Sequence, residues 1–190
     1  MSTAHEIVIP TEPISLAEWE RDWEPLEDRW ELVAGIPVMA AQERPINIWI
    51  ADRISDCLKD ALGRRWTYLQ HAGVLLADDP RATVRGPDLA VVRPDTELDV
   101  PRLDGSSTAL VVEVLSPSTR RTDLVRKRRE YATAEIPAYL VVDKDAPEEH
   151  RFLLLTDPES GDYATQTRGG DIALTIEGTS IQITTTDLER

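Results

Sequence analysis

The sequence predicts an α/β protein: a mixed sheet flanked by helices. Three observations carry that prediction. Short runs rich in Val and Leu at residues 66–77, 88–92, 109–115 and 138–143 have the composition of buried strands. Two segments with apolar residues at helical spacing, 45–62 and 121–135, interrupt them. The order strand 109–115, helix 121–135, strand 138–143 implies a parallel pair joined by a crossover helix, and the hairpins on either side imply antiparallel neighbours in the same sheet.

In chain order, Ser15 caps a short helix reaching about residue 23, and Glu18 three residues on completes a capping box. Residues 30–41 alternate around Gly35-Ile36-Pro37 and read as two strands joined by a tight turn, with Glu31 at the start of the first. From 45 to 62, Ile46, Trp49, Ile50, Ile54, Cys57, Leu58 and Leu62 form one apolar stripe, and Gly63 is the stop. Residues 66–77 read as one strand ended by Asp78-Asp79-Pro80, and 93–108 as loop. Ser116-Pro117-Ser118-Thr119 turns into the second helix. The last forty residues read as edge strands: 151–155, a polar segment around Tyr163, and 181–185. The 190 residues make one domain on length grounds, with a core at about 15–155 and C-terminal edge strands at 156–190.

Composition narrows the partners. With 21 Lys and Arg against 35 Asp and Glu the net charge is -14, which on average repels nucleic acid and anionic membranes. Any contact with DNA must therefore be local or assisted by a cation. The single cysteine, Cys57, cannot form an internal disulfide and reads as a core residue. The N-terminal residues 1–10 have neither a basic start nor a long apolar run, so a cytoplasmic protein is expected, without a membrane partner. His5, His71 and His150 lie far apart with no Cys or His at zinc-ligand spacing. Glycine-rich phosphate loops and the Gly-x-Ser-x-Gly pattern are absent, which lowers nucleotide-binding and serine-hydrolase readings.

Two carboxylates stand out. Asp88 begins a strand directly after Pro87, and Glu113 lies inside an apolar strand, where an unpaired charge is costly to desolvate. If these strands are neighbours, both acids converge at one sheet end, and a shared hard dication, magnesium or manganese, relieves their repulsion. Singly, each has a plainer reading: Asp88 caps a turn, and Glu113 pairs with an arginine such as Arg85 or Arg93. Asp123, Lys127 and Tyr131, spaced by four, share one helix face, so Lys127 can point at the strands; the plain alternative is an Asp-to-Lys pair on a solvated surface. Arg120, Arg121, Arg126, Arg128 and Arg129 crowd this helix and make a local positive patch where a phosphate backbone could dock, or only a charged surface.

The series Glu31-Leu-Val-Ala-Gly35, Val84-Arg-Gly-Pro-Asp88, Val112-Glu-Val-Leu-Ser-Pro-Ser-Thr119, then Asp123, Lys127, Tyr131 and Tyr139-Leu-Val-Val-Asp143 resembles the Uma-two family within the PD-(D/E)XK nuclease superfamily. The resemblance spans roughly residues 15–155. It implies a restriction-endonuclease-like fold and a metal-dependent endonuclease that hydrolyses DNA phosphodiesters. It implies Asp88 and Glu113 as metal ligands, the Val114 carbonyl as a third donor, Glu31 as an accessory acid and Lys127 as the catalytic ammonium; with a DNA substrate, Arg120, Arg121 and Arg128 of the positive patch become the expected DNA contacts. It also points to a homodimer, since two symmetric sites cut both strands of a duplex most simply. The superfamily places its lysine two residues after the acid, where this chain has Leu115. Asn47 stands where relatives often carry His. The alternative of another class is a catalytically inactive module of the same fold that binds nucleic acid or protein.

Overall fold

The computed structural model describes residues 8–26 and 29–189; His5 and the N-terminal residues 1–7 lie outside the described residues. Helix α1 (Leu16–Asp22) starts as its capping box requires. The Ser15 hydroxyl accepts the Glu18 N–H, and the Glu18 carboxylate accepts the Ser15 N–H at 2.8 Å. Strands β1 (Trp30–Val33) and β2 (Ile36–Met39) pair with Val33 opposite Ile36, so Ala34 and Gly35 alone make the turn, both at positive φ. A Cβ on Gly35 would sit 2.6 Å from the Pro13 Cβ. Gly35→Ala is therefore expected to destabilise the protein by about 2–4 kcal/mol, from left-handed backbone strain plus the clash. Urea denaturation reads this, and a change below about 0.5 kcal/mol would show that the turn tolerates a side chain.

Helix α2 (Pro45–Leu62) ends at Gly63, as its sequence predicts, and buries Ile50, Ile54 and Leu58. Ile54 and Leu58 are fully buried, each contributing roughly 1.5–3 kcal/mol of hydrophobic stabilisation.

The expected single strand at 66–77 is instead two: β3 (Thr67–Leu69) and β4 (Val74–Ala77). Opposite them run β5 (Thr83–Arg85) and β6 (Leu89–Val92), with β3 on β6 and β4 on β5. Residues 67–92 thus form one long hairpin bent in its middle, and the bend carries both limbs from one sheet into another. Pro87 causes part of it, since a proline offers no N–H to a ladder. Across the bend the His71 N–H donates to the Pro87 carbonyl at 3.0 Å. The expected loop 93–108 also contains a two-residue strand, β7 (Leu103–Asp104), parallel to β4.

The remaining strands are β8 (Thr108–Val114), β9 (Ala138–Val142), β10 (Phe152–Glu159), β11 (Asp162–Gly169), β12 (Ile172–Ile176) and β13 (Thr179–Ile183). Six of the thirteen make a sheet in the order β11-β10-β9-β8-β6-β3, and five make a second in the order β2-β1-β5-β4-β7. The β8–β9 pair is parallel, as the crossover reading requires, and β6 and β10 flank it antiparallel. Two expectations change. The hairpin at 30–39 belongs to the second sheet, and residues 151–155 lie between β9 and β11 rather than at an edge. The β12–β13 hairpin packs on α2.

All seven residues of β8 are buried, as expected of a central strand covered on both faces. Leu110, Val112 and Val114 meet α2 and β13, while Val111 and Leu115 join the core containing Tyr131 and Val74. Alternation puts Glu113 on this second face.

Candidate active site

Leu89 pairs with Val112 in the β6–β8 ladder, so Asp88 and Glu113 occupy the next positions outward on adjacent strands. Parity puts both side chains on the face covered by the crossover helix. Asp88 is held at the bend, 4% exposed, with its Oδ2 accepting the Val114 N–H at 2.7 Å. Glu113 is 3% exposed and its Oε1 accepts from Lys127 Nζ and from Tyr131 Oη, each at 2.7 Å. Neither Arg85 nor Arg93 pairs with Glu113: Arg85 binds Glu31 and Glu130, and Arg93 binds Glu177.

The crossover segment departs from a plain helix. Thr122–Lys127 is π-helical and α3 (Arg128–Thr133) continues it, a departure that recurs at functional positions. Asp123, Lys127 and Tyr131 nevertheless share one buried face, as their spacing predicts. Lys127 Nζ lies 2.7 Å from Glu113, 3.4 Å from Asp123 and 4.0 Å from Glu31, so the surface-pair reading of this lysine fails.

Glu31 comes from β1 and is tied to Arg85 at 2.7 Å and to the Gly86 N–H at 3.2 Å. Arg85 also grips Glu130 through two bonds, 2.8 and 3.0 Å. Asn47, near the start of α2, donates to the Val114 carbonyl at 3.4 Å and to Glu43 at 3.2 Å.

Of these groups Glu31, Glu43, Arg85, Asp88, Glu113, Asp123 and Lys127 line a cleft of about 220 Å³, and Asn47, Glu130 and Tyr131 stand behind them. Burial raises the Asp88 pKa, Glu43 adds to it, and the Val114 N–H and Lys127 offset only part, leaving it pushed up to about 7. Glu113 rises well above the carboxylate range, through burial first and then Asp88 and Asp123. Burial would raise Glu31 too, but Lys127 and Arg85 outweigh it and hold its carboxyl below the usual value. For Lys127, burial is outweighed by Glu113, Glu31 and Asp123, so its pKa is raised and it stays an ammonium.

A sign follows for stability. The Asp88 pKa is raised from 3.8 to about 7, so its proton stabilises the fold fully below the unfolded value, and that contribution is lost as pH rises through about 7. Wild-type stability relative to Asp88→Asn is expected to fall between about pH 4 and pH 7, as denaturant midpoints would show. A constant difference across that range would contradict the raised value.

The arginines divide. Arg120 pairs with Asp143 at 2.6 Å and Arg128 with Asp162 at 2.5 Å, and Arg121 is exposed. None of these three lines the cleft, whereas Arg29 and Arg126 do. Asp123, Glu43 and the Arg85–Glu130 pair were not singled out from sequence as site groups. Asp123 and Arg85 had a signal, a charged residue on a buried face or strand; Glu43 had none.

The sequence profile of a family described as "Putative restriction endonuclease" matches residues 16–185. The chain belongs to the Uma2 family. No curated protein matches it. Its fold is shared with a crystal structure described as a "putative nuclease belonging to DUF820" from Anabaena variabilis ATCC 29413, at a TM-score of 0.70 and 14% identity over 93% of this chain and 97% of that one. In this Uma2 chain Leu115, two residues after Glu113, is 3% exposed and packed in the core. The ammonium beside Glu113 comes from the helix instead. Cys57 packs against the core, and burial raises its thiol pKa, so it is no activated nucleophile. Among the described residues no helix is long and apolar enough to cross a membrane.

Proposed function

We propose that this protein is a divalent-metal-dependent endonuclease that hydrolyses DNA phosphodiester bonds in the cleft between Asp88, Glu113 and Lys127. The observation that carries this reading is the pair of adjacent-strand acids, both pushed above the carboxylate range, with one fixed ammonium 2.7 Å from Glu113. Buried acids that the protein leaves short of positive charge suit a hard dication.

The donor set fits magnesium or manganese. Besides the two acids, Asp123 Oδ1 is buried with no hydrogen bond among the described residues and only the Lys127 ammonium, at 3.4 Å, as its charge partner. Among them no group of three or more His, Cys, Asp or Glu is gathered as a metal cage, so Asp88 and Glu113 would hold the ion, with the Val114 carbonyl and water completing the oxygen set. Bound there, the metal would supply a polarised phosphoryl oxygen and a more acidic water.

The chain's own groups do the rest. Lys127 stays charged and places a positive group beside the reacting phosphate. Tyr131, whose pKa burial raises, keeps its proton and fixes the Glu113 carboxylate. Glu31 holds Arg85 and fixes one side of Lys127. Arg29 and Arg126 at the cleft, with Arg120, Arg121 and Arg128 beyond it, would contact the phosphate backbone, and two copies of the chain would cut both strands.

The test is nicking of supercoiled plasmid by the purified protein. Nicking is expected with magnesium or manganese and should stop on chelation. Intact plasmid with both ions, or nicking that ignores the chelator, rejects the metal-dependent reading and favours the inactive-module alternative or a different chemistry respectively.

A further inference from the structure

A second pocket adjoins the cleft and shares Arg29, Glu31, Arg85 and Gly86 with it. Its volume is about 180 Å³. That lies below the roughly 300 Å³ at which sites for whole small molecules begin, and about 150 Å³ suffices for a single benzene ring. It is sized for one ring system.

Its walls mix tryptophans with charged groups, Arg29 and Arg85 on one side of the balance and Glu24 and Glu31 on the other. Trp19, Trp23 and Trp30 line it with His71, and Trp23 and Trp30 meet edge to face at 4.8 Å. His71 Nδ1 is 2.9 Å from the Arg29 guanidinium and accepts from it, because burial, then Arg29 and Lys127, lower its pKa to about 4 and leave the ring neutral. Trp19, 2% exposed, and Trp30 each bury an indole N–H with no acceptor among the described residues. Both N–H groups face the packed interior rather than the cavity, and the aromatic surface that the cavity meets is chiefly that of Trp30, which is partly exposed while Trp19 and Trp23 are buried.

We propose that this pocket receives the unstacked base of a nucleotide next to the phosphate held in the cleft, so that the substrate is a DNA strand with at least one base out of the helical stack. The proposal rests on the nuclease reading. A base offers a π face to Trp30, the partly exposed tryptophan, and carbonyl or ring-nitrogen acceptors at its edge to Arg29. Arg29, shared by both cavities, places a cation between the base and its phosphate.

The experiment compares two single strands of equal length, one of thymidines and one with an abasic backbone throughout, bound to the full chain in calcium and followed by tryptophan fluorescence. The thymidine strand is expected to bind about tenfold tighter and to quench the tryptophans. Trp30→Leu, and independently His71→Asn, which tolerates the positive φ of that residue, should bring its affinity down to that of the abasic strand without changing the latter. Equal affinities in the wild type, or a preference that survives in both variants, overturn the pocket. Loss of binding to both strands by wild type overturns it as well, and metal-dependent plasmid nicking then says whether the nuclease reading survives it.

Discussion

Asp88→Ala and Glu113→Ala proteins are expected to nick plasmid at about a thousandth of the wild-type rate or less while staying folded. The size follows from charge. A metal positioned on developing phosphoryl charge is worth several kcal/mol, and each 1.36 kcal/mol is tenfold in rate, so losing either of two ligands removes on the order of three decades. Folding should survive because the protein gains little by keeping these acids ionised, and because Lys127 keeps Asp123 at 3.4 Å and Glu31 at 4.0 Å when Glu113 is removed. Both have pKa values pushed upward by burial, so the fold works against their charge. Asp88→Asn is the cleaner partner: it keeps an oxygen for the Val114 N–H, 2.7 Å away in wild type, and should match or exceed wild-type stability above about pH 7. Wild-type nicking rates in both folded alanine variants would remove this site from the reaction.

The second large effect is on stability and lies at Arg85. This residue is 2% exposed and joins three parts of the molecule: β5, which carries it, Glu31 on β1, and Glu130 on α3. Arg85→Met keeps much of the volume but leaves two acids without their cation. Breaking a buried ion pair from one side costs about 3–5 kcal/mol, chiefly because the remaining charges are stranded. For a chain of this length that is a fall in Tm of roughly 6–20 °C. Adding Glu31→Gln and Glu130→Gln to Arg85→Met should recover most of the loss, since the stranded charge is then gone. A calorimetric loss under about 1 kcal/mol for the single variant would mean that water already screens this triad. Arg85→Lys is expected to fall between the two, because an ammonium cannot grip Glu130 through two parallel bonds.

Legibility followed the reach of each signal. The capping box at Ser15, the stripe from Ile46 to Leu62 and the stop at Gly63 depend on neighbours within one or two helical turns, and each appears where the pattern puts it. The parallel β8–β9 pair was readable because a strand, a helix and a strand leave few other arrangements. The run 66–77 reads as one strand and folds as two, because an apolar pattern records burial and not which sheet buries it. The bend at Gly86-Pro87 separates β3 from β4 through a hydrogen bond between residues 16 apart, His71 to Pro87. The same bend sets Asp88 beside Glu113.

Sequence by itself determined the α/β class, the helices, the chain's place among nuclease-like relatives, and Glu113 as a group whose burial needs a reason, with Asp88, Lys127 and Glu31 added by strand order, helix spacing and family resemblance. Tertiary structure alone decided their company: Lys127 and Tyr131 on one Glu113 oxygen, Arg85 between Glu31 and Glu130, and Arg29 rather than Arg120 or Arg128 at the cleft. The physical reason is range. Periodicity and caps act between residues a few positions apart, whereas a buried charge is compensated by whichever opposite charge the fold brings within about 4 Å, and here Lys127 meets Glu31 from 96 positions away along the chain.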